Sequence, residues 1–94
     1  MIKFLPLIAI LAAYVNATSY KLSEINTHNT QSDFWIVMGS NVYSFQSFSH
    51  PGGWSVIQPY AGGAADATSR FNNQGHSSSA KSVLAGKLIG TLDG

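Results

Sequence analysis

The sequence predicts a small α+β domain: a short mixed sheet carrying several short helices that form a pocket. Three observations predict it. The stretch 34–38, FWIVM, is continuously apolar and rich in aromatic and β-branched residues, as a strand buried on both faces should be. The second half of the chain breaks into short helical runs punctuated by Pro59 and several glycines. A His-Pro-Gly-Gly at 50–53 interrupts the middle of the chain with residues suited to a presented side chain and not to a regular element. The 94 residues suffice for one domain with one modest core.

The elements follow in order. Lys3 precedes an apolar run from Phe4 to Val15, and Val15-Asn16-Ala17 offers small residues for a signal peptidase. The run falls short of the roughly 20 residues needed to span a bilayer. Residues 1–17 are therefore expected to be a cleaved secretory signal, with a retained anchor as the competing reading, and residues 18–94 to be the secreted or extracytoplasmic domain. The sequon Asn16-Ala17-Thr18 sits on the expected cleavage site. Residues 20–22 read as a strand, and Ser23 as the N-cap of a short helix over 23–29. The buried strand 34–38 turns through Gly39-Ser40-Asn41 into a second strand starting at Asn41, a hairpin. Helices are expected at 54–58, at 64–71 and at 79–85, the last capped by Ser78 or Ser79, and a closing strand at 87–92.

Composition narrows the function. The chain has no cysteine, so a secreted domain of this size has no disulfide to stabilise it, and a tightly bound ligand becomes the attractive alternative. Lys21, Arg70, Lys81 and Lys87 balance Glu24, Asp33, Asp66 and Asp93. Without a basic patch, no nucleic-acid partner is expected.

The three histidines carry what chemistry there is: His28, His50 and His76. Pro51 restricts His50 to extended backbone, while Gly52 and Gly53 permit positive φ and leave no side chain in the way of a flat ligand. His76 has similar surroundings, with Gly75 before it and Ser77 after. Twenty-six positions apart, these two histidines cannot share one helix face, but they can oppose each other across a gap. Val56, Ile57 and Phe71 lie between them, and Phe45, Phe48 and Val83 just outside. Two opposed imidazoles with an apolar lining suit a planar iron porphyrin. Exposed polar histidines are the plain alternative. Structural zinc would want four ligands, usually with cysteine, at shorter spacings. Serine hydrolysis lacks a G-x-S-x-G.

From Tyr20 to Leu92 the chain resembles a cytochrome b5 haem-binding domain. YKLSEINTHNTQSDFWIVMGSNVYSFQSF is similar to that family's opening strand, helix and tryptophan-bearing hairpin; HPGG is its signature; AGGAADATSRF, GHS and LIGTL resemble its later segments. The resemblance implies that His50 and His76 are the two axial iron ligands, that Phe45, Phe48, Val56, Ile57, Phe71 and Val83 line the pocket, and that Met38 stands at an aliphatic pocket position. It implies a propionate contact for Ser77, a core position away from the haem for Trp35, and a surface position on the first helix, without metal binding, for His28.

Four departures stand out. About two residues are missing before His50, so the helix preceding it should be shortened, and about two are added in GGAADAT. Lys87 and Arg70 replace an aromatic and a neutral polar residue, and either cation can approach a propionate. The implied cofactor is a b-type haem (iron protoporphyrin IX), held noncovalently because C-x-x-C-H is absent. Two histidine ligands would leave the iron six-coordinate, which implies a one-electron carrier and not an enzyme. Its expected partners are redox proteins, a reductase and an acceptor, met by a monomer with no membrane contact after signal cleavage. The alternatives are a secreted haem carrier without a redox partner and a haem-free interaction module.

Overall fold

The computed structural model describes residues 18–93; the expected signal at 1–17 lies outside the described residues. Five strands, β1 (Ser19–Lys21), β2 (Asn29–Thr30), β3 (Asp33–Met38), β4 (Asn41–Gln46) and β5 (Leu88–Asp93), form one mixed sheet in the order β1-β5-β4-β3-β2. β1 lies parallel to β5 and the other pairs are antiparallel. The helices are α1 (Leu22–Ile25), α2 (Trp54–Ile57), α3 (Thr68–Asn73) and α4 (Ser78–Ala85). Between α2 and α3, Gln58–Gly63 forms 3₁₀ turns broken where Ala61 is extended and Gly62 takes φ 70°.

The β3–β4 hairpin organises the domain. Gly39, at φ 61°, makes the turn that an L-residue would resist, and the register then sets Phe34 opposite Phe45 and Val37 opposite Val42. Because side chains alternate along a strand, the hairpin builds two cores. Phe34, Ile36, Tyr43 and Phe45 join Ala61 and Ala67 on one face; Trp35, Val37 and Val42 join Ile25 on the other. Phe34 and Phe45 stack with ring centroids 5.0 Å apart. The expectation of a strand buried on both faces therefore holds.

Several boundaries differ from the sequence reading for identifiable reasons. β1 runs to Lys21 because that residue still pairs with Asp93, so α1 starts at Leu22 with Lys21 at its N-cap, and Ser23 lies inside the helix and caps nothing. The last helix starts one residue earlier than expected, and its cap is Ser77, whose Oγ accepts the Ala80 N–H at 3.1 Å, in place of Ser78 or Ser79. Residues 64–67 are not helical. The Ala67 N–H is drawn to the Val37 carbonyl at 3.0 Å, and the Asp66 carboxylate accepts the Gly39 N–H at 2.7 Å and the Thr68 N–H at 2.8 Å. The Thr68 hydrogen bonds, with help from Gly39 and against slight desolvation, hold the Asp66 carboxyl below its usual range. These bonds tie the start of α3 to the hairpin turn.

Candidate functional site

His50 follows β4 through a segment with no helix at all, a stronger shortening than the sequence suggested. Ser47 turns the chain at φ 51°, and Gly52 and Gly53, at φ 92° and 82°, fold it back so that the Gly53 N–H meets the His50 carbonyl at 2.9 Å. A Cβ at Gly52 would lie 2.7 Å from Val56 Cγ2, so the glycine also permits close packing of α2. His76 follows α3 after Gly75, at φ 66°, and its ring stacks on Phe71 at 4.0 Å.

Both rings are oriented by backbone carbonyls. Nδ1 of His50 lies 2.6 Å from the Pro51 oxygen, and Nδ1 of His76 lies 3.0 Å from the Phe71 oxygen. A carbonyl can only accept, so each Nδ1 carries a proton, and a ring with a single proton then has its Nε2 lone pair left for a metal. The two ring centroids are 6.2 Å apart, with planes inclined at 60°. Metal–nitrogen bonds of about 2.0 Å and about 1.1 Å from nitrogen to ring centre put two imidazoles on opposite sides of one metal about 6.2 Å apart. The centroid separation of the pair equals that expected for two imidazoles sharing one ion. Outside it, no cluster of three or more metal-binding side chains occurs among the described residues.

Met38, Val56, Ile57 and Phe71 line one cleft with both histidines. Four other predicted residues stand elsewhere. Phe45 lies beneath the cleft in the core at 7% exposure, and Phe48 packs edge-on against it at 5.1 Å and lines a small neighbouring pocket with His50 and Ile57. Val83 is 47% exposed, because α4 turns the adjacent Leu84 toward the core instead. Ser77 Oγ serves as a helix cap, which uses a lone pair and leaves its O–H free to donate.

Ile36, Tyr60, Ala67 and Gln74 also line the cleft and were not foreseen. Strand alternation from Met38 would have found Ile36; nothing local marks the others. Trp54 is a half-buried packing residue, 5.2 Å from Phe34. Trp35 sits on the opposite face of the sheet, as expected. His28 departs from its expected place: it lies beyond α1, half-buried, stacked on Trp35 at 3.8 Å with Nδ1 2.9 Å from Asp33 Oδ2. It is remote from the cleft because α1 ends at Ile25 and the chain has already turned toward β2.

Residues 21–93 match the Cytochrome b5-like Heme/Steroid binding domain family. Cytochrome b5 of Rhizopus stolonifer is 40% identical over 81 residues, which is 84% of this chain and 60% of that protein. An NADH-cytochrome b5 reductase-like protein of Emericella nidulans is 38% identical over 76 residues, 79% of this chain and 16% of that protein. Among solved structures, cytochrome b558 of Ectothiorhodospira vacuolata, a prokaryotic homologue of cytochrome b5, superposes with TM-score 0.67 at 25% identity over 82% of this chain and 100% of that one. The chain thus spans just over half the length of full-length cytochrome b5 relatives such as that of Rhizopus. With the match extending over nearly all described residues and the cleft built as above, the chain belongs to the cytochrome b5-like haem/steroid binding domain family, whose domain holds a noncovalent b-type haem.

Proposed function

We propose that the domain carries single electrons, with His50 and His76 as the two axial ligands of its haem iron. The observation that carries this reading is the opposed histidine pair, 6.2 Å between centroids, with each Nδ1 bonded to a carbonyl. When bound, the haem supplies the one-electron ferric–ferrous couple. The chain's own residues do the rest. The two carbonyls fix tautomer and ring orientation, so little reorganises around the iron when its charge changes. Phe71 holds the His76 ring by stacking, and Met38, Val56 and Ile57 exclude water from the cleft. Ligands on both faces leave no position for a substrate, which favours carriage over catalysis.

The partners are a reductase and an acceptor protein, a reading supported by the Emericella relative, in which a similar segment occurs within a reductase-like protein. Export is part of the same proposal and rests on the apolar run Phe4–Val15. The test is the absorption spectrum of the reconstituted protein with its reduction kinetics. A sharp low-spin Soret band, resolved α and β bands on reduction and rapid exchange with an NADH-dependent reductase are expected. A high-spin spectrum overturns the ligation, and haem transfer to apo-myoglobin faster than reduction points to a haem carrier instead.

A further inference from the structure

We propose that Arg70 is the counter-ion of one haem carboxylate, an anchor that sets how firmly and in which orientation the cofactor is held. The inference rests on the haem reading above and adds a site that the histidines do not provide. Arg70 lies on α3 next to Phe71, the residue that stacks on His76, and it lines the cleft shared by both histidines. Apart from the histidines, it is the one ionisable cation among the lining residues, which are otherwise apolar except for Tyr60 and Gln74.

Among the described residues, Arg70 has no ion-pair partner: Asp93 pairs with Lys21 and Asp33 with His28. Asp66, four residues upstream, spends both carboxylate oxygens on the Gly39 and Thr68 N–H groups. Arg70 is exposed where it borders the apolar cleft, so its guanidinium can meet an anion at the edge of an occupant, and haem b brings two carboxylates. The planar guanidinium matches a carboxylate in two parallel hydrogen bonds, which a lysine cannot reproduce. The other candidate cation is otherwise engaged, since Lys87 Nζ sits 5.7 Å above the Phe48 ring.

Haem loss from the reconstituted full chain to excess apo-myoglobin tests this, comparing wild type, Arg70→Gln and Arg70→Lys, each loaded with haem b or with its dimethyl ester. With haem b, Arg70→Gln should lose its cofactor ~5-fold faster and Arg70→Lys by a smaller factor, the modest size reflecting a solvent-exposed pair. With the ester, which has no carboxylate, the three proteins should lose the cofactor at one rate. Equal loss of haem b from Arg70→Gln and wild type overturns the proposal, and so does the same acceleration with haem b and with ester. A wild type lacking the low-spin spectrum is a separate result that removes the bis-histidine reading itself.

Discussion

The rings of His50 and His76 lie 6.2 Å apart in one cleft with their planes inclined at 60°, one held by the Pro51 carbonyl and the other by the Phe71 carbonyl. Their separation suits one metal ion bound on both sides. Replacing either with alanine should therefore abolish the low-spin spectrum. His28→Ala should leave that spectrum intact and cost about 1 kcal/mol of stability through the lost stack on Trp35, a typical value for an aromatic pair. Spectra and denaturant melts of the three variants check this, and a low-spin spectrum surviving in His76→Ala would show the second ligand to be misassigned.

Removing the haem should lower the melting temperature and broaden the transition. A ligand that binds only the folded state stabilises it by about 4 kcal/mol when present at a thousand times its dissociation constant. The chain has no disulfide to compensate, and several cleft residues lose their packing partner. Scanning calorimetry of apo and holo forms at neutral pH measures the difference; coincident melts would dismiss haem as the stabilising element.

Asp66 should govern part of the acid limb of stability. Its folded-state carboxyl is held below the usual value, chiefly by Thr68. The contribution is therefore fully present above the unfolded value of about 3.9 and lost as pH falls through the lowered folded one. Asp66→Ala should cost about 1 kcal/mol at neutral pH, as for loss of a side-chain acceptor at a helix start, and should flatten the stability profile below pH of about 4. Urea melts across that range supply the comparison, and an unchanged acid limb would contradict the assignment.

Electron transfer to basic acceptor proteins should be slow and nearly independent of ionic strength. Three of the four described carboxylates, Glu24, Asp33 and Asp93, lie on α1 or at the strand ends away from the cleft. The chain between His50 and β5 carries Arg70, Lys81 and Lys87 against Asp66 alone. The two carboxylates of a haem would offset that excess, leaving a face with little net charge to steer an encounter. Stopped-flow rates over a salt series measure the slope, and a steep fall with rising salt would refute the prediction.

Parts of the site were legible because their causes are local. Pro51 and the two glycines after His50 restrict or free their own backbone, so the positive φ of Gly52 and Gly53 could be anticipated. The alternating burial of β3 follows from its composition, and the resemblance placed both histidines opposite each other. The lining was less legible. Val83 and Leu84 are adjacent apolar residues, and which one α4 turns inward depends on how the helix meets the sheet. Ser77, Ser78 and Ser79 are equivalent as caps until the path from His76 selects one.

By itself, then, the sequence determined the hairpin with its two apolar faces, the exposed-loop presentation of His50 and the absence of any covalent staple. Each of these depends on residues within a few positions of one another. Tertiary structure alone decided where α3 begins, that His28 stacks on Trp35, and that Tyr60, Ala67 and Gln74 line one cleft with the histidines. The reason is range: the Ala67 N–H reaches the Val37 carbonyl and Asp66 reaches Gly39 across nearly thirty positions, and such bonds exist only once the chain has closed on itself.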